Sequence, residues 1–247
     1  MIELWLIGIG TGSPGHVTLE AQVALRDAAL ILVPRKGVGK DDLVEIRHRI
    51  IAEAGSKARL VAFDYPVRDP ALPYLDRVER WHDEIAARWQ AAIDAAGADG
   101  PVALLVWGDP SLYDSTLRIA RRLDPAPRLK VFPGITALQA LTAAHAIPLN
   151  ALAGTVTVTT GRRLRDHGWP EGAESVVVML DGECSFQTLS RADLLIWWGA
   201  FLGMQEQIVD HGPVSEVAAR IVDTRAKARE AHGWIMDTYL LRPEDVS

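Results

Sequence analysis

Short apolar runs alternate along the first part of the chain with longer stretches in which apolar residues recur every three or four positions. The runs at 3–9, 29–33, 60–63, 102–107 and 129–132 have the length and apolar density of buried strands. Between them the clearest helical pattern is Leu75, Val78, His82, Ile85, Trp89 and Ile93. Its spacings of three and four place one apolar stripe along a helix, with His82 in the stripe as a core or interface residue. Strand–helix alternation of this kind predicts a mainly parallel sheet of the α/β class.

The pattern changes near Ile147-Pro148-Leu149-Asn150, which predicts two domains, 1–148 and 149–247. Residues 155–159 alternate Thr and Val, the signature of a strand buried on one face. Further strands are expected at 174–180, 194–198 and 234–241, and helices at 186–191 and 214–229. The second half therefore reads as a smaller, mixed sheet.

Four loops follow strands and carry residues suited to chemistry. The first holds Gly10-Thr11-Gly12-Ser13-Pro14-Gly15, which fits the dinucleotide pattern G-x-G-x-x-G. That pattern needs its last glycine inside an opening helix. Here Pro14 precedes it, and Thr18 is the natural N-cap of the next helix. The second strand ends in Pro34-Arg35, without an acidic residue to hold a ribose. An NADP-dependent oxidoreductase stays open as an alternative on this loop, as does a binding module without catalysis.

The second loop is Trp107-Gly108-Asp109-Pro110-Ser111-Leu112-Tyr113, after the most apolar strand of the first half. In open α/β sheets ligands bind at such strand ends, although the same residues also suit an ordinary turn. The third is Pro133-Gly134-Ile135-Thr136-Ala137, where Thr136 either caps a helix or offers its hydroxyl to a ligand. The fourth is a basic loop, Thr159-Thr160-Gly161-Arg162-Arg163-Leu164-Arg165. A related basic stretch is Arg35-Lys36-Gly37-Val38-Gly39-Lys40. Arginine forks suit carboxylates and phosphates, and solvated charged loops look the same in sequence.

Composition narrows the classes. The 247 residues are 49 % hydrophobic and 23 % charged, as in an ordinary folded globule. One cysteine, Cys184, excludes an intramolecular disulfide and a Cys-based zinc site. The longest apolar run, residues 194–204, is too short for a bilayer. The first residues lack the positive region of a signal peptide, so the expectation is a soluble cytoplasmic protein with no membrane partner. A net charge of −6 argues against a nucleic-acid partner.

Taken in order, G-I-G-T-G-S-P-G-H-V-T-L at 8–19, G-D-P-S-L-Y at 108–113 and P-G-I-T-A at 133–137 resemble the tetrapyrrole methylases, the class III S-adenosylmethionine methyltransferases. The resemblance implies two αβα domains with the cofactor in the cleft between them, and a homodimer. Further segments resemble those members that methylate ring carbon C-1 of precorrin-5 and release acetate. They are P-R-K-G at 34–37, D-Y-P-V-R-D at 64–69, W-W-G-A-F-L-G at 197–203 and G-W-I-M-D-T-Y-L-L-R at 233–242. Another precorrin methylase, or diphthine synthase, is the alternative within the family.

The family's roles carry over residue by residue. Pro14 matches the first-loop contact to S-adenosylmethionine. Trp107, Gly108 and Asp109 match the segment at the cofactor's amino-acid end, with Leu112 beside it. Thr136 and Ala137 match the pair after Pro-Gly, Met179 and Leu180 a position near the adenosine, and Trp234 the last contacting strand. Where most relatives have a plain apolar run, this sequence places Asp237 and Tyr239. They are the candidates for orienting the water that removes acetate, with Asp64, Tyr65 and Arg68 as a second set. Arg35, Lys36, Arg162, Arg163 and Arg165 are the expected contacts to the substrate's carboxylates. Methyl transfer from a sulfonium to an electron-rich carbon, giving S-adenosylhomocysteine, needs alignment and water exclusion. No nucleophilic side chain and no metal are expected for it.

Overall fold

The computed structural model describes residues 2–35 and 41–244. Residues up to Thr136 form one compact unit and residues from Ala137 a second. The division falls ahead of the expected boundary at 148, because the helix Ala137–His145 packs on strands of the second unit.

The first unit is a parallel sheet of β1 (Glu3–Gly8), β2 (Leu30–Pro34), β3 (Arg59–Phe63), β4 (Val102–Val106) and β5 (Arg128–Phe132), in the order β3-β2-β4-β1-β5. The central strands β1, β2 and β4 are buried on both faces, which is why they read as continuous apolar runs, whereas the edge strands β3 and β5 are largely exposed. On one face Leu4, Leu6, Leu30, Leu32 and Leu104 meet Ile85, Trp89 and Ile93 of α3 (Tyr74–Ala96). On the other, Trp5, Ile7, Ile31 and Leu105 meet Ala21 and Leu25 of α1 (Leu19–Asp27) and Ile50 and Ile51 of α2 (Asp41–Glu53). Thr18 caps α1, accepting the Ala21 N–H at 3.1 Å. His82 lies in the apolar stripe of α3 and is buried, as expected. A short α4 (Thr116–Ala120) follows the second loop.

The second unit also has five strands, so its sheet is not the smaller one. They are β6 (Val156–Thr160), β7 (Ser175–Met179), β8 (Leu194–Ala200), β9 (Ile208–Pro213) and β10 (Asp237–Pro243), in the order β6-β7-β10-β8-β9. Only β6 and β7 run parallel; β10 is antiparallel to both β7 and β8, and β9 to β8. Helices α5 (Ala137–His145) and α7 (Val214–His232) pack on this sheet. Leu141 of α5 would crowd a side chain at Gly199, on the face opposite the one where Arg225 of α7 meets Asp237. Two corrections concern local structure. The expected basic loop is α6 (Gly161–His167), capped by Thr160, whose hydroxyl accepts the Arg163 N–H at 3.4 Å. The helix expected at 186–191 is a single 3-10 turn, Ser185–Thr188.

Candidate active site

The first three loops leave the carboxyl ends of β1, β4 and β5, which are neighbours in the first sheet. Contacts between backbones hold them together. Gly10 donates its N–H to the Gly108 carbonyl at 3.3 Å, and Gly108 returns one to Gly10 at 2.7 Å. Gly108 has φ +62°, a conformation that favours glycine. At Gly134 the chain passes so close that an added Cβ would lie 2.1 Å from the Gly108 oxygen and 2.8 Å from the Gly8 carbonyl carbon. Glycine is required there by proximity alone.

Asp109 ties the second loop to the third. Its Oδ2 accepts the Gly134 N–H at 2.9 Å. Its Oδ1 accepts the Ser111 N–H at 2.8 Å and also the Ser111 hydroxyl. Burial works against its charge, but the bonds from Ser111 and Gly134 outweigh it and hold the carboxyl below its ordinary range. In the first loop Ser13 accepts the Gly15 N–H at 3.2 Å and starts a 3-10 turn through Pro14. Thr11 Oγ1 sits 3.0 Å from His16 Nδ1. Burial lowers the His16 pKa and so favours the neutral ring.

The structure thus brings Pro14, Trp107, Gly108, Asp109, Leu112 and Thr136 onto three neighbouring loops. Trp107 supplies a feature that no motif announces: its Nε1–H is buried without a hydrogen-bond partner. An ionised carboxylate and an unmade N–H donor at one strand end suit the ammonium and carboxylate of an amino-acid ligand. By that donor set these residues fit S-adenosylmethionine.

The other predicted residues have these places. Arg35 is exposed and pairs with Asp64 at 3.0 Å. Lys36 lies outside the described residues. Tyr65 stacks on Trp81, and the Arg68 guanidinium lies 4.0 Å from the centroid of the same indole. In the second unit, Arg162 and Arg163 are exposed on α6. Arg165 is bound by Asp166 at 2.8 Å and Glu183 at 2.6 Å. Ala137 opens α5. Met179 ends β7, and Leu180 after it is 67 % exposed with φ +53°, a strained setting for leucine. Trp234 precedes β10 and packs edge-on against Phe201, 5.0 Å between centroids.

Asp237 and Tyr239 occupy one face of β10, as their spacing predicts. Both have firm partners. Asp237 Oδ2 accepts from Trp198 Nε1 at 3.0 Å and from Arg225 Nε at 2.8 Å. The Tyr239 hydroxyl donates to Asp181 Oδ2 at 2.6 Å. Asp181 also accepts from the Ser185 amide and hydroxyl and from the Glu183 N–H. Burial and the nearby Asp181 carboxylate raise the Tyr239 pKa well above its ordinary value. Sequence reasoning missed Asp181, 58 residues from Tyr239, and Arg225, which reaches Asp237 from α7, 12 residues before it.

A parallel sheet with three glycine-bearing loops at its strand ends is thus followed along the chain by a mixed second sheet. The chain belongs to the Tetrapyrrole (Corrin/Porphyrin) Methylases, whose family model matches residues 3–218. The family's methyl donor is S-adenosylmethionine. Among its relatives is a precorrin-6A synthase (deacetylating) from Sinorhizobium sp, 46 % identical over an alignment of 250 residues that covers 98 % of this chain and 95 % of that one. A crystal structure from Corynebacterium diphtheriae, of a protein described as cobalamin synthesis related (CobF), superposes with a TM-score of 0.85 at 41 % identity. It covers 99 % of this chain and 100 % of its own. The uroporphyrin-III C-methyltransferase of Thermus thermophilus, solved with S-adenosyl homocysteine, shares the fold at a TM-score of 0.62 and 19 % identity, with 97 % of each chain covered.

Proposed function

We propose that this methyltransferase methylates precorrin-5 at ring carbon C-1 and releases acetate, giving precorrin-6A. The observation that carries this reading is the 46 % identity to a precorrin-6A synthase (deacetylating) across 98 % of this chain. S-adenosylmethionine, when bound, supplies a methyl group on a sulfonium for in-line transfer to carbon. The chain's own contribution is placement. Asp109, ionised and fixed by three hydrogen bonds, receives an ammonium without rearranging. Trp107 Nε1–H receives a carboxylate, and the packed backbones of Gly8, Gly108 and Gly134 keep the three loops in register.

Acetate release is separate chemistry. Water adds to the acetyl carbonyl, the carbon–carbon bond to the ring breaks, and its electron pair neutralises the positive charge that methylation leaves on the macrocycle, while the remaining proton of the water is released with the acetate. Asp237 and Tyr239 are the residues we assign to this step. Arg162 and Arg163 are assigned to the substrate's carboxylates, with Arg35 once its bond to Asp64 opens. Incubation with precorrin-5 and S-adenosylmethionine tests the whole reading. One new methyl group and one acetate per turnover are expected. Methylation of another precorrin in preference, or turnover without acetate, would overturn it.

A further inference from the structure

Arg47 lies on α2 and belongs to none of the sequence motifs discussed above. Its guanidinium carbon sits 5.0 Å from the centroid of the Trp107 ring. One terminal nitrogen donates to the Leu43 carbonyl at 3.0 Å. Its Nε–H is buried with no hydrogen-bond partner, and so is the Nε1–H of the Trp107 ring it lies over. Among the described side chains no carboxylate pairs with Arg47. Tyr65 and, to a lesser degree, Asp114 lie near enough to favour its charge, and the Asp114 carboxylate accepts the Thr116 N–H at 2.6 Å. Burial works against that charge, and the guanidinium keeps it nonetheless.

A buried cation with an unmade bond is costly, and so is an unmade indole donor beside it. A carboxylate offers two acceptor oxygens, one for each donor. We infer that Arg47 and Trp107 together form a binding site for a ligand carboxylate. The inference rests on the proposed reaction, whose two reactants both carry that group: the amino-acid end of the methyl donor and the rim of the tetrapyrrole. Neither carries a phosphate. Arg47 thereby extends the chemistry of the β4 strand end onto α2.

Titration calorimetry of the wild type and of Arg47→Met, with S-adenosylhomocysteine and with uroporphyrin III as a stable carboxylate-bearing tetrapyrrole, tests this. Loss of one hydrogen bond to a charged group predicts that affinity for at least one ligand falls roughly tenfold to a hundredfold. Loss confined to S-adenosylhomocysteine places the carboxylate on the methyl donor. Loss confined to uroporphyrin places it on the substrate. Trp107→Phe, which keeps the ring and removes the donor, is expected to weaken the same ligand, and it serves where Arg47→Met fails to fold. If S-adenosylhomocysteine is the ligand, its decarboxylated analogue will bind wild type and Arg47→Met alike. Folded variants that bind both ligands within about twofold of wild type overturn the inference. Failure of the wild type to turn over precorrin-5 would instead overturn the proposed reaction, and the S-adenosylhomocysteine arm would still decide the role of Arg47.

Discussion

Asp109 and Gly134 show how much of the candidate site rests on single residues. Asp109→Asn replaces one acceptor oxygen by an amide, so a donor from Ser111 or Gly134 loses its partner. The expected cost is about 1–3 kcal/mol of stability, with weaker S-adenosylhomocysteine binding. Denaturant melts and calorimetry check it. The pH dependence has a definite sign. A carboxyl whose folded pKa lies below its unfolded value contributes fully above the unfolded value, near ~3.9 for Asp. That contribution disappears as pH falls through the folded value. Acid titration of wild type should therefore show a loss of loop stability below the usual carboxylate range that Asp109→Asn lacks. Gly134→Ala is more severe, because the added methyl meets backbone at 2.1 Å and not a flexible side chain. A loss of about 2 kcal/mol or more is expected, together with loss of S-adenosylhomocysteine binding. Wild-type affinity in Gly134→Ala would disprove the close-packed description. The turn around Asp109 was legible from Gly-Asp-Pro; its bond to Gly134, 25 residues on, was not, since only the folded sheet makes β4 and β5 near neighbours of β1.

At the scale of elements, β10 carries the heaviest polar load in the second unit. The Arg225–Asp237 pair is nearly buried, with side chains 10 % and 7 % exposed. Breaking such a pair from one side leaves an uncompensated charge and costs about 3–5 kcal/mol. Asp237→Asn is therefore expected to lower the urea midpoint. By the role assigned above, it should also accumulate a methylated, still acetylated product. Mass spectrometry separates the two effects: a destabilised variant that releases acetate normally would leave Asp237 with structural work only. Legibility differs among elements for a physical reason. Strands buried on both faces, such as β1 and β4, leave unbroken apolar runs. The edge strand β9, IVDHGP, is half exposed and holds Asp, Gly and Pro, so its sequence resembles a loop. In α6, GRRLRDH, only Gly161 and Leu164 are buried, and three arginines hide a helix of about two turns. The Asp237–Tyr239 alternation was readable from its period; the Arg225 and Asp181 that hold the pair come from other elements.

At the scale of the whole molecule, the net charge of −6 opposes a polycarboxylate substrate, so attraction has to be local. Arg162→Glu and Arg163→Glu together are expected to lower affinity for uroporphyrin on the order of tenfold at low salt, with S-adenosylhomocysteine binding unaltered. The difference should shrink as ionic strength rises. Equal affinities at low salt would remove α6 from the substrate's contacts. The two sheets also differ in when they can exist. Every strand of the first sheet lies before residue 133, so that sheet has its full complement early in synthesis. In the second, β10 sits between β7 and β8, and it leaves the ribosome after both. Until then β7 and β8 are two unpaired edges with an empty slot between them, each open to the wrong partner. A nascent chain of this protein therefore carries a finished first unit ahead of an aggregation-prone second one, and the arrival of a single strand ends that exposure.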